Sequence, residues 1–303
     1  MSKVKLALGY STERPYGALV GTDKGRDLRK RQLEFVHKLL GKLDSLETPR
    51  TLFILGQYLD RYTDTNLKKD LRAVYNKDNP FNDIAQHTYS HSIVQGVSER
   101  KDGVMPPQEF QQDLIRANQV IKDILGVVPK GLIMPMGYHG DLSGLPEVLD
   151  SIVNAGLSYV SSDLRTKVKQ GEQETLETPL TSERQPHSYA HAGHSNLVEI
   201  PGHGWQDVIF TPEKAELFNE PGFIGENAFE NILSYHTALF DQAKSLAGEI
   251  DSDIYVTLAL HPWAAMEYDS DLKVHEGIIE SARKKDIELV SFQKIADEIN
   301  HNN

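Results

Sequence analysis

Two histidines four residues apart, in Gln86-His87-Thr88-Tyr89-Ser90-His91, are the first residues in the sequence with the type and spacing for chemistry. Imidazole ligates divalent metals, and on one helical turn residues i and i+4 face the same way, so the spacing predicts two rings at one ion. A pair of this kind also fits ordinary surface or core histidines. A second segment, Leu258-Ala-Leu260-His261-Pro262-Trp263, is an apolar strand delivering a histidine at its C-terminal end, where β/α barrels place catalytic groups. A histidine that merely caps a strand has the same pattern. A third, Gly131-Leu-Ile-Met-Pro135-Met-Gly137-Tyr138, is a strand running into a Pro/Gly turn, and an ordinary βα loop looks alike. Glu199-Ile-Pro-Gly-His203-Gly-Trp205 ends another strand candidate and turns His203 and Trp205 toward the same mouth. His187, His191 and His194 crowd one region and His139 follows the third segment, a pattern that exposed loop histidines also give.

Elements must hold these residues in place, and hydrophobic periodicity shows them. Short apolar runs predict strands at Val4–Leu8, Thr51–Leu55, Gly131–Met134, Ser158–Val160, Leu197–Ile200, Ile254–Leu260 and Ile287–Val290. Helical spacing covers Leu28–Leu43, Phe110–Leu125, Asn227–Ala247 and His275–Lys285, with Gly126 and Gly156 at C-cap positions. Strands alternating with helices imply βαβ units and a parallel sheet. Seven or eight such units predict an α/β fold of the distorted (β/α) barrel type, TIM-like, rather than an open sheet. The turn after the first strand, Gly9-Tyr-Ser-Thr-Glu, is not the glycine-rich loop of a doubly wound nucleotide-binding sheet. One domain over residues 1–303 is expected, with a long polar insertion around 167–223 whose first part, Lys167–Ser195, suits a lid.

Composition narrows the function classes. The 303 residues include no cysteine, which removes disulfides, thiolate metal sites and cysteine nucleophiles. With 32 basic against 44 acidic residues the net charge is −12, so a nucleic-acid partner is not expected. The basic cluster Lys24 to Arg31 reads as a solvated helix start. Neither a membrane-spanning run nor the apolar region of a secretory signal is present, so a cytoplasmic protein is expected. A monomer and a homo-oligomer suit this composition equally.

Taken together, the segments resemble the polysaccharide deacetylases, the NodB-homology family or carbohydrate esterase family four. Phe53-Ile-Leu-Gly56, the spacing onward to His87-Thr-Tyr-Ser-His91, Pro135-Met-Gly137, Leu258-Ala-Leu260-His261 and the closing His275–Ile299 segment follow the family order. The resemblance covers nearly the whole chain except roughly Lys167–Phe223. It implies that His87, His91 and Glu13 ligate a divalent metal, zinc in the first place and otherwise cobalt or nickel. It implies that the ion activates water and that His261 protonates the departing amine. Asp163, in Tyr159-Val-Ser-Ser-Asp163, stands near the fourth motif and is expected to orient a histidine.

Two departures from the family pattern stand out. The usual aspartate pair is replaced by Tyr10-Ser11-Thr12-Glu13, so the family's base has no counterpart unless Glu13 takes that role. Ile133 stands where the third motif carries arginine, and Arg14 in Arg14-Pro-Tyr-Gly17 is the substitute within reach. Substrate contacts are expected from Arg14, Tyr138, His203, Trp205 and Trp263, the aromatic ones by stacking on sugar rings. Three functions follow in order. The first is metal-dependent N-deacetylation of an amino sugar or related carbohydrate. The second is hydrolysis of a small cyclic amide in the manner of allantoinase. The third is a silent carbohydrate-binding barrel that has lost its base.

Overall fold

The computed structural model describes residues 3–14, 21–60, 65–97, 100, 102–167 and 174–302. Met1 and Ser2, residues 15–17 of the Arg14-Pro-Tyr-Gly17 segment and residues 168–173 of the expected lid lie outside the described residues. Strands β1 (Val4–Thr12), β2 (Arg50–Ile54), β3 (Asn82–Gln86), β4 (Gly131–His139) and β5 (Tyr159–Lys167) alternate with helices α1 (Asp23–Ser45), α2 (Gly56–Asp60), α3 (Thr65–Val74), α4 (Pro107–Leu125) and α5 (Pro146–Asn154). The region expected as loop holds β6 (Glu174–Thr175), β7 (Glu177–Thr178), β8 (His187–Tyr189), β9 (His194–Glu199), β10 (Gly204–Trp205) and α6 (Pro212–Leu217). The chain closes with α7 (Ala228–Ile250), β11 (Ile254–Leu260), α8 (Pro262–Tyr268), α9 (Lys273–Lys284), β12 (Glu288–Val290) and α10 (Phe292–Asn302).

The main sheet runs β11-β1-β2-β3-β4-β5-β9-β8, with β12 also on β1 and β6 on β5. Every pairing along it is parallel except β8 with β9 and β6 with β5. The result is a distorted β/α barrel. Between β9 and β11 the ladder gives way to the segment after β9. There His203 N–H donates to the Thr257 carbonyl at 2.9 Å, and Thr257 N–H returns to His203 Nδ1 at 3.2 Å.

Period-two alternation explains what lies inside. On β1, Leu6, Leu8 and Tyr10 pack outward against Val36, Leu39 and Leu43 of α1 and Phe240 of α7. The opposite parity begins with Ala7, which packs in the interior with Phe53, Ala85, Ile133, Tyr159, Ala259 and Phe292. Gly9 follows on that parity, and a Cβ there would sit 2.7 Å from Phe53 Cε2 and 3.0 Å from Phe292 Cε2. Glycine therefore opens the slot in which these two rings meet edge to face at 5.1 Å. Next on the same face come Ser11 and Glu13, above the apolar plug. On β11 the parity that contributes Tyr255 and Ala259 to the interior brings His261 to the same level.

One core strand was not among those read from the sequence. Asn82–Gln86 is the strand β3, although its first residues are polar. Asp83 is a half-buried acceptor at the barrel floor, receiving Thr51 Oγ1–H and Tyr159 O–H at 2.8 Å each. Hydrogen bonding to β2 and β5 lets a strand begin on a polar residue, and a hydropathy pattern cannot show this.

A second carboxylate, Glu199 at the end of β9, accepts from Ser162 N–H and Oγ–H at 2.8 Å each and from Tyr189 O–H at 2.6 Å. Burial pushes its carboxyl up to about 7 against the pull of these donors. A folded-state value above the unfolded one means that folding takes up a proton as pH falls. The contribution is complete below the unfolded pKa near 4.5 and is lost as pH rises through about 7. Denaturation of Glu199→Gln across pH 4.5 to 7.5 should show that slope removed, and an unchanged slope would refute the assignment.

Candidate metal centre and active site

Glu13 follows the last residue of β1 and is buried with its carboxylate among three donors or ligands. Oε2 lies 3.1 Å from His87 Nε2 and 2.9 Å from His91 Nε2. Oε1 accepts Trp263 Nε1–H at 2.9 Å. His87 Nδ1 stands 2.9 Å from the Ile133 carbonyl, which can only accept, so the proton is on Nδ1. A neutral His87 therefore presents a lone pair at Nε2 to a carboxylate oxygen, two acceptors face to face that need a cation between them. Burial drives His87 below the usual imidazole value despite Glu13. The His91 and His87 rings hold Glu13 well below the carboxylate range although burial opposes this. Neutral imidazole and ionised carboxylate are the protonation states of metal ligands, and these ligand atoms all lie within 4.8 Å of one another. The donor set fits a divalent ion.

The histidines do not meet on a helix, as their spacing had predicted. Residues 87–92 are a loop after β3 in which Thr88 and His91 adopt φ of 62° and 61°. A β-branched residue with positive φ is strained by about 1–3 kcal/mol and persists only where its surroundings fix it. Asp113, on α4, supplies that restraint by accepting Tyr89 N–H at 2.7 Å and Ser90 Oγ–H at 2.6 Å. Gly56 N–H and Gln57 N–H bind the carbonyls of Thr88 and Tyr89, and Arg100 binds that of His91 at 2.9 Å. The two rings end edge to face with centroids 5.0 Å apart.

His261 faces the same cavity, a space of about 120 Å³. Its Nδ1–H donates to Asp207 Oδ1 and its backbone N–H to Oδ2, both at 2.7 Å. Burial lowers the His261 pKa, but the fully buried Asp207 carboxylate outweighs it and the net shift is upward. Because Asp207 holds Nδ1, Nε2 is the nitrogen that can exchange a proton with a ligand. Ser11 Oγ, buried in the cavity wall, has no hydrogen-bond partner in the protein and offers one to a ligand.

A profile of the family described as polysaccharide deacetylase matches residues 23–160. That stretch of the chain therefore carries the sequence pattern of the polysaccharide deacetylases, and it supports a deacetylase-like hydrolase of the class that acts on carbon–nitrogen bonds other than peptide bonds. No curated protein sequence matches it. Among solved structures it is similar to a provisionally named polysaccharide deacetylase from Mycobacterium smegmatis, at 17% identity and TM-score 0.63 over 99% of this chain and 91% of that one. A PuuE allantoinase gives 14% identity and TM-score 0.63 over 98% and 90% of the two chains. A probable polysaccharide deacetylase from Pseudomonas aeruginosa PAO1 gives 16% and 0.62 over 98% and 90%. At these identities the structures establish the shared fold.

The departures from the deacetylase pattern now have a geometry. Ser11, in place of an aspartate, leaves Glu13 as the cavity's one carboxylate among the described residues. Ile133, in place of arginine, serves through its carbonyl on His87. Gly137 in the third motif takes φ of 64°, where a Cβ would meet Leu164 Cβ at 2.4 Å. Arg14 lines the cavity, its guanidinium carbon 3.4 Å above the Trp263 ring.

Other expected residues lie elsewhere. Asp163 receives Arg184 and the Gly140 N–H, and the carboxylate on His261 is Asp207 instead. Tyr138 is buried in the core with its hydroxyl accepting Val94 N–H at 3.0 Å, so it cannot stack on a sugar. His203 is buried with Nε2–H on the Arg184 carbonyl at 2.6 Å and lowered to about 4 by burial, which makes it a seam residue of the barrel. Trp205 packs against Phe218 outside the cavity. Trp263 does line the cavity, but Glu13 takes its N–H and Arg14 covers its face. His187 and His191 pair with Asp141 and Ser143 away from the centre.

Sequence reading missed Asp113, Arg165, Asp207 and Lys214. Asp207 alone left a trace, an acid entering the apolar run Val208-Ile209-Phe210. Removing the clamp in Asp113→Ala should lower stability by about 2–3 kcal/mol, since it strands buried N–H donors. Urea denaturation checks this, and a loss under 0.5 kcal/mol would show that the loop holds its own shape.

Proposed function

We propose that this deacetylase relative is a metal-dependent hydrolase that removes an N-acyl group from an amino sugar or related small carbohydrate. The observation that carries the reading is the buried Glu13–His87–His91 donor set sharing one small cavity with the His261–Asp207 pair. A divalent ion held by those three side chains, zinc by the chemistry of two imidazoles and a carboxylate, supplies a Lewis acid that makes water nucleophilic near neutral pH and draws charge from an amide carbonyl. Trp263 fixes Glu13 through Oε1, which directs Oε2 to the histidines and favours the ligand role for Glu13 over that of a free base. His261 donates the proton at Nε2 to the leaving nitrogen, because an amide nitrogen cannot depart as an anion at neutral pH. Asp207 keeps the ring oriented and stabilises its protonated form.

The cavity size favours a second reading, hydrolysis of a small cyclic amide. At about 120 Å³ it is well below the roughly 300–1,000 Å³ usual for ligand pockets. No helix among the described residues is long and apolar enough to cross a membrane.

Metal analysis of protein purified without added metal should find about one equivalent of divalent ion in the wild type and loss of it in His87→Ala. Equal metal content in the two proteins would remove His87 from the ligand set. His261→Gln should retain the metal while kcat falls about 10²- to 10⁴-fold. In the pH profile of kcat/KM the wild type should lose activity as pH rises past the elevated His261 pKa. Asp207→Asn should move that alkaline limb to lower pH, and an unmoved limb would assign it to another group.

A further inference from the structure

The cavity beside Glu13 is cationic in a chain whose net charge is −12. Glu13 is the one carboxylate lining it among the described residues, and both its oxygens are engaged by His87, His91 and Trp263. Against it stand Arg14, Arg165 and Lys214. Arg14 is laid flat on the Trp263 ring, which fixes the guanidinium while leaving its N–H edge for a ligand. Arg165 is anchored through Nε on the Met136 carbonyl at 2.7 Å. Lys214, half-buried on α6, comes from the segment that also contributes Leu176, Gln206 and Val208 to the wall. No described carboxylate forms an ion pair with Arg14 or Lys214.

Low-dielectric walls strengthen the field of fixed charges in such a cleft and raise the local concentration of anions. A neutral sugar or polymer would desolvate Arg14 and Lys214 without pairing them, which counts against binding. A carboxylate would pair with them through charge-assisted hydrogen bonds. We infer that the substrate is a small N-acyl compound bearing a carboxylate, which Arg14 and Lys214 receive while the amide lies between the Glu13–His87–His91 cluster and His261. This deepens the hydrolase reading above and rests on it for the fate of the amide, but the charge preference is a property of binding alone.

Binding and turnover are therefore measured separately. Trp263 lies under Arg14, so its fluorescence in a Trp205→Phe background reports occupancy of the cavity. The probes are N-acetylglycine and N-acetylmuramate, each against its neutral methylamide. At least one acid should bind about tenfold or more tightly than its methylamide, as expected of one charged hydrogen bond. The advantage should shrink with added salt and fall below threefold in Arg14→Gln and in Lys214→Gln. Equal affinity of acid and methylamide in both pairs, or an advantage untouched by both substitutions, overturns the inference. Turnover of the same compounds by metal-loaded protein separates the two claims. Preferred binding of the acids with no hydrolysis of any probe upholds the charge preference and defeats the hydrolase reading. Equal affinity within each pair together with hydrolysis of both members upholds the hydrolase and defeats the charge preference.

Discussion

Taking a carboxylate out of water costs several kcal/mol unless charge or hydrogen bonds replace the solvent, and Glu13 is 6% exposed. The top of the barrel is arranged around that requirement. Strand alternation on β1 turns Glu13 inward, where the small residues Ala7 and Gly9 leave room beneath it for the aromatic plug. The Trp263 indole answers one oxygen, and the other faces the two histidine Nε2 atoms, where a shared cation completes the set. Three segments far apart in sequence are thereby tied together: the end of β1, the loop after β3 and the first turn of α8. Arg14 then stacks on the outer face of Trp263, so the group that anchors Glu13 also positions a cation at the mouth.

Environment gives chemically equal side chains opposite roles. His87 and His261 are both buried imidazoles, yet the first is lowered and the second raised. His87 spends its Nδ1 proton on a backbone carbonyl and has another imidazole beside it, so burial prevails and the ring stays neutral. His261 spends the same proton on the Asp207 carboxylate, which has no other charge to satisfy it and outweighs desolvation. A neutral ring suits a ligand and a protonated ring suits a proton donor. Glu13 and Asp207 divide in the same way, the first toward the histidine pair and the second toward a single ring.

Local pattern carried some of this and contact between distant segments carried the rest. Strand β11 was readable at both ends because Ile254–Leu260 is apolar but for Thr257 and is closed by His-Pro. Strand β3 was hidden by Asn82, which donates to the Asn76 carbonyl, and by Asp83, whose carboxylate is satisfied from β2 and β5. The histidine pair was visible by spacing, but its shape was not. Spacing of four is equally compatible with a helical turn and with a loop bent by two positive φ values under an aspartate 22 residues after His91. Tyr138 and His203 looked functional because they follow strands, yet what decides their roles is Val94, Arg184 and Thr257, none of them a sequence neighbour. Asp163 was the orienting acid that motif order suggested, and Asp207 takes that place only because the chain between β10 and α6 brings it to His261.

The division of the site along the chain bears on how such a protein changes substrate. His87, His91 and the clamp Asp113 fall within residues 23–160, the stretch that matches the family profile. Leu176, Gln206, Asp207, Val208 and Lys214 all come from the strap beyond it. Within this strap, residues 174–223, β6, β8 and β9 join the main sheet, whereas β7 and β10, next to the cavity-lining Leu176 and Gln206, pair only with each other. Its side chains can therefore alter the charge and size of the cavity without displacing Glu13 or the two histidines. Asp207 limits that freedom. It holds both the ring and the backbone of His261, so the short helical turn at 207–210 must keep its register against the end of β11 whatever else in the strap is rebuilt.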